Sequence, residues 1–178
     1  MIYITGDCHG NFERFNPSIF PEQNEMTKED YVIICGDFGG VWHRDEESKE
    51  ETMVLDWLDS RPFTTLFVCG NHENFDRLYQ YPIEEWHGGK VHKIRESVLH
   101  LMRGQVFEIA EKKIFSFGGA SSHDIQGGVL EPDELDFEKK YATLSRGYLP
   151  FRINHWSWWK QELPSKEEME EGRQNLEK

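Results

Sequence analysis

The chain has 178 residues, of which 37% are hydrophobic, 13% aromatic and 30% charged. That length favours one domain over residues 1–178, and a domain of this size buries roughly 70% of its unfolded surface. With 20 Lys+Arg against 33 Asp+Glu the net charge is -13, which excludes a general nucleic-acid coat, because that role needs a basic face.

An anionic substrate stays open where a metal ion supplies the positive charge. No apolar run approaches the ~20 residues of a membrane span. The start, MIYITGDCHG, has neither a basic leader nor a long apolar region, so no signal peptide is expected. Cys8, Cys35 and Cys69 are too few, and odd in number, for a secreted disulfide scaffold. The expectation is a soluble, cytoplasmic protein.

Met1–Thr5, Tyr31–Cys35 and Thr64–Cys69 are short β-rich runs, each followed by glycine. None alternates apolar with polar, the pattern of strands buried on both faces of a parallel sheet. Asp45–Ser60 reads as an amphipathic helix carrying Met53, Leu55, Trp57 and Leu58. Asp7 to Asp37 is 30 residues and Asp37 to Asn71 is 34, a spacing that fits consecutive βαβ units of ~30 residues. Trp86, Val91–Ile94, Val98–Leu101, Val106–Ile109 and Lys113–Phe117 are further strand candidates, separated by Gly88-Gly89, Gly104 and Glu111-Lys112. They read as a meander forming a second sheet or the far half of the first.

From Gly118-Gly119 to Pro164 the chain is polar and irregular, and it reads as a functional loop or lid that Trp156, Trp158 and Trp159 pack onto the sheet, the alternative being that they stack on a nucleobase or grip a partner. Ser165 with Glu168 forms a capping-box pattern that predicts a final helix. Its apolar positions are only Met169 and Leu176, a face too thin for an obvious partner.

The chemistry follows the first three strands: Gly6-Asp7-Cys8-His9-Gly10, Gly36-Asp37-Phe38-Gly39-Gly40 and Gly70-Asn71-His72-Glu73. In open α/β sheets, sites form beyond the carboxyl ends of strands, so Asp7, His9, Asp37, Asn71 and His72 would share one rim. Carboxylate, imidazole and amide oxygen together suit Mn, Fe or Zn rather than Ca or Mg alone. A carboxylate such as Asp37 can bridge two ions, and two ions ~3.5–4 Å apart can clamp an in-line displacement. His72 follows Asn71 directly and is available for proton transfer. The residue set describes metal-assisted hydrolysis of a phosphate ester.

GDCHG, GDFGG and GNHE, in this order and spacing after strands, resemble the calcineurin-like metallophosphoesterase superfamily over about residues 1–75. GGASSHD and WSWWKQELPSKEE resemble its bacterial or phage branch. The resemblance implies an α/β, four-layer αββα sandwich and a dinuclear centre. One ion would be held by Asp7, His9 and Asp37, the other by Asp37 and Asn71. It further implies attack on phosphorus by a metal-bridging hydroxide, with His72 protonating the leaving oxygen or stabilising the transition state.

The sequence departs from the family in having no Gly-His-x-His motif, so the expectation is a chain incomplete at its C-terminus, or other groups completing the metal shells. GDFGG also lacks the Val-Asp-Arg-Gly ending of the protein Ser/Thr phosphatases, which disfavours that subfamily. His123 and His155 are weak substitute candidates, better read as a loop residue and a packed aromatic neighbour. The three cysteines read as inert buried thiols. The alternative function is a non-catalytic metal-binding or scaffold module of the same fold. The partners expected are a phosphate-ester substrate, with no membrane and no long nucleic acid.

Overall fold

The three glycine-terminated runs pair in parallel as β1 (Ile2–Thr5), β2 (Tyr31–Cys35) and β3 (Thr64–Val68). The computed structural model describes residues 1–177. Thr5 lies opposite Ile34, and Cys35 opposite Val68, so the three strands end side by side. Between β2 and β3 runs α1 (Lys49–Asp59), shorter at its start than the predicted 45–60 because Ser48 caps it. A short α2 (Phe75–Leu78) follows β3.

The predicted meander divides between two sheets. Strands β4 (Ile83–Trp86), β5 (Gly89–Arg95) and β6 (Val98–Leu101) complete the first, in the order β1-β2-β3-β6-β5-β4, with β6 parallel to β3 and the last two pairings antiparallel. β7 (Gln105–Ile109) and β8 (Lys112–Ser116) form a separate antiparallel hairpin. One face of the first sheet buries Val32, Ile34 and Phe67 against Phe12, Phe15, Leu55 and Leu58. The other buries Ile33, Leu66 and Leu99 against Phe107 and Ile109 of the hairpin. The layered α/β architecture is therefore met, with two strands in the second sheet.

The stretch expected to be irregular holds β9 (Val129–Leu130), α3 (Phe137–Leu144) and β10 (Arg152–Ile153), with β9 and β10 paired in parallel. Of the three tryptophans expected to pack, Trp159 is 1% exposed and belongs to the first core, whereas Trp156 is 37% exposed.

The final helix, α4 (Lys166–Leu176), starts on the predicted Ser165–Glu168 capping box. Its partner differs from expectation. Met169 and Leu176 are exposed, and the helix meets the β6–β7 turn through Gly172, where an added Cβ would lie 3.2 Å from Gly104 and Phe117. No helix among the described residues is long and apolar enough to cross a membrane.

Candidate metal centre

The three strand ends deliver three loops that hydrogen-bond to one another. The N–H groups of Cys8 and His9 both donate to the Asp37 carbonyl (3.0 and 2.8 Å), and Gly10 N–H donates to the Phe38 carbonyl (3.0 Å). His9 and Asp37 adopt positive φ, 47° and 40°, a strained conformation that clusters at functional sites. Gly70 makes the approach possible: a Cβ there would fall 2.0 Å from Asp37 Oδ1.

Behind the loops, the carboxylate of Glu73 accepts from the N–H groups of Phe38 (2.7 Å), Gly39 (3.3 Å) and Gly70 (3.4 Å). It is 1% exposed, and burial raises its pKa to about 7. One side chain thus ties the second loop to the third.

On the outer side, ligand atoms of His9, Asp37 and His72 all lie within 4.8 Å of one another. His9 Nε2 is 3.6 Å from Asp37 Oδ2 and 4.0 Å from Asp7 Oδ2. The His72 backbone N–H donates to Asp37 Oδ1 (2.9 Å), and the His9 and His72 rings meet edge to face at 5.2 Å. The imidazole of His9 converging with the carboxylates of Asp37 and Asp7 is a donor set that fits a borderline divalent cation, and the His72 ring stands beside it.

Asn71 is oriented from outside the three loops. Its Nδ2 donates to Ser122 Oγ (3.2 Å), while Ser122 donates through its N–H (2.9 Å) and its hydroxyl to the carboxylate of Glu162, itself 1% exposed. Committing the amide nitrogen to Ser122 leaves Oδ1 to act as an acceptor, with no hydrogen bond to it among the described residues. Asp124 belongs to the same surroundings: its pKa is held down by the Arg152 guanidinium and, to a lesser degree, by the nearby His72.

The structure brings four predicted residues together, Asp7, His9, Asp37 and His72, with Asn71 beside them on the third loop. It does not bring in the two weak candidates. His155 Nδ1 is tied to Asp76 Oδ2 (2.7 Å), which also accepts from Trp159 Nε1 (2.6 Å), but the side chain is 53% exposed rather than packed among the tryptophans as expected. His123 is an exposed loop residue outside the cluster.

Cys8 and Cys69 are buried thiols, raised by that burial to about 11 and about 12, as the inert reading expected. Cys35 departs from it: it is exposed at the end of β2. Glu73, Ser122, Glu162 and Asp124 were not singled out from sequence. All four nevertheless lay within motifs: Glu73 in GNHE, Ser122 and Asp124 in GGASSHD, and Glu162 in WSWWKQELPSKEE.

The calcineurin-like phosphoesterase model matches residues 1–175. The chain belongs to that family. It is 25% identical over 143 residues to lariat debranching enzyme A of Xenopus laevis, a match covering 73% of this chain and 26% of that protein. It is 24% identical over 143 residues to the lariat debranching enzyme of Danio rerio, covering 73% and 24%. The chain thus spans about a quarter of the length of these relatives. No solved structure matches it.

Proposed function

We propose that this calcineurin-like phosphoesterase chain hydrolyses a phosphate mono- or diester with the help of divalent metal ions. The observation that carries the proposal is the convergence of His9, Asp37 and His72 within 4.8 Å at the carboxyl ends of parallel strands. Family membership and the likeness to lariat debranching enzymes support phosphoester hydrolysis in general. In this reading Asp7, His9 and Asp37 hold one ion, Asp37 and Asn71 a second, with Mn, Fe or Zn as the cations. When bound, the ions neutralise phosphate charge and make water acidic enough to serve as nucleophile near neutral pH.

The chain's own groups do the remaining work. Asp37 is fixed by the His72 N–H and by the space left at Gly70. Glu162 and Ser122 aim the Asn71 amide. The His72 imidazole stands at the rim beside His9 and gives its proton to the leaving oxygen. The net charge of -13 favours a small ester over long nucleic acid, and three free cysteines fit the reducing cytoplasm.

His72→Ala separates the roles. Turnover of a phosphate ester should fall by about 10²–10⁴, the usual contribution of a positioned acid, while metal content holds. Metal lost along with turnover would make His72 a ligand instead. A metal-loaded chain that hydrolyses no mono- or diester would favour the non-catalytic module.

A further inference from the structure

A cavity of about 380 Å³ opens beside the candidate centre, shared by His9 and His72, the backbone of Gly39-Gly40, and Trp42, Val54 and Glu50. The geometry points to the base of a nucleotide as its occupant, so that the ester hydrolysed is a nucleotide ester; this rests on the phosphoester reading above.

Trp42 carries the argument. It is 38% exposed, with its indole edge-on to the buried Trp159 at 5.8 Å. Its backbone is nevertheless fixed. The N–H groups of Trp42 and His43 both donate to Glu51 Oε1, their carbonyls both accept from Asn74 Nδ2 (3.0 Å each), and Arg77 also donates to the His43 carbonyl (2.9 Å). A large apolar ring held rigidly at a cavity mouth is a platform prepared for stacking, with little ordering left to offset on binding.

Gly39 and Gly40 contribute backbone alone to the lining: Gly39 has φ +66° with the Gly10 backbone 2.6 Å from where its Cβ would sit, and a Cβ on Gly40 would strike the Phe38 ring at 2.5 Å, so neither position admits a side chain. A planar group stacked on the indole would carry its phosphate beside His9 and His72, which line the same cavity.

Charge selects among planar groups. Among the described residues the lining holds no lysine or arginine, and Glu50 presents an exposed carboxylate. A further phosphate would be repelled there, whereas the exocyclic amine of a base donates to a carboxylate. A phenyl ester stacks but leaves Glu50 without a donor.

Adenosine 5′-monophosphate, phenyl phosphate and ribose 5-phosphate, titrated onto the manganese-loaded chain, separate these contributions. The adenine nucleotide should bind about tenfold more tightly than ribose 5-phosphate, the equivalent of ~1.4 kcal/mol of stacking, and more tightly than phenyl phosphate. Trp42→Ala should remove that preference and Trp42→Phe restore most of it. Equal affinities for the nucleotide and ribose 5-phosphate, phenyl phosphate binding as tightly as the nucleotide, or a preference indifferent to Trp42→Ala would each overturn the proposal.

The wild-type comparison needs no variant to fold. Adenosine against ribose on the metal-free chain reads the cavity without the metal centre. A preference for adenosine there supports the proposal even if no metal binds, and its absence overturns the proposal even if simple phosphate esters are hydrolysed.

Discussion

Gly70 shows how closely the centre is packed around Asp37. A Cβ at this position would meet Asp37 Oδ1 at 2.0 Å and the Asp37 backbone nitrogen at 2.5 Å, so even a methyl group must push the carboxylate away. Gly70→Ala should lower metal affinity by about 10–100-fold, the range for disturbed supports of metal ligands. Equilibrium dialysis against manganese checks this, with an unchanged far-UV spectrum showing that the fold survives. Affinity equal to wild type would mean that Asp37 is not a ligand.

These loop residues were legible in sequence because each is coupled to a strand end by a fixed local motif. Ser122 and Glu162 were not. Their partnership spans 40 residues and reaches Asn71 across 51, and nothing local marks a serine that will meet a carboxylate through folding alone.

At the scale of elements, α1 is held by one carboxylate. Glu51 closes the capping box with Ser48, accepts from the N–H groups of Trp42 and His43, and pairs with Arg77 at 3.5 Å, both side chains being under 8% exposed. Removing one partner of a buried ion pair typically costs about 3–5 kcal/mol. Glu51→Ala should therefore lower the urea midpoint strongly, and a shift below about 1 kcal/mol would contradict that role.

The capping box itself was visible as Ser48 and Glu51, yet α1 was expected to begin three residues before that serine because acidic residues 45–47 continue the pattern. Helix α3 was missed although Phe137, Tyr141 and Leu144 stand at i, i+4 and i+7. Eight residues without a side-chain cap gave too little signal. Helix α4 was located correctly, but its contact surface was not, because a glycine packing on a glycine carries no apolar signature.

For the whole molecule, buried titratable groups set the response to acid. His92 and His100 are 3% and 2% exposed, stacked at 5.2 Å with their Nδ1 atoms 3.0 Å apart. Burial lowers His92 to about 4 and, with the His92 and Arg103 charges, holds His100 well below the usual 6.5. Among the described residues His100 Nε2 has no hydrogen-bond partner, so none of them stabilises a proton there.

The folded-state values are depressed. The unfolded chain therefore takes up two protons as pH falls through 6.5 while the folded chain takes up none until nearer 4, and this stability is lost on acidification. Glu73, raised to about 7, works the other way with one proton between 7 and 4.5. Two against one leaves a net loss of roughly 1 kcal/mol per pH unit between about 6 and 5. The thermal midpoint of the metal-free chain should fall over that range, less steeply in His92→Gln; a midpoint that rises would contradict the assignment.

The parallel half of the sheet was readable from glycine-terminated apolar runs. The partition of later strands between two sheets was not, since it depends on which face each strand covers after folding.

The most direct test of the metal centre is the number of ions per chain, measured by elemental analysis after manganese loading and desalting, for wild type and Asp37→Asn. The account predicts two ions in the wild type, both lost or greatly weakened in Asp37→Asn, because that carboxylate is shared. A wild type that retains no ion, or an Asp37→Asn chain that keeps both, would contradict it.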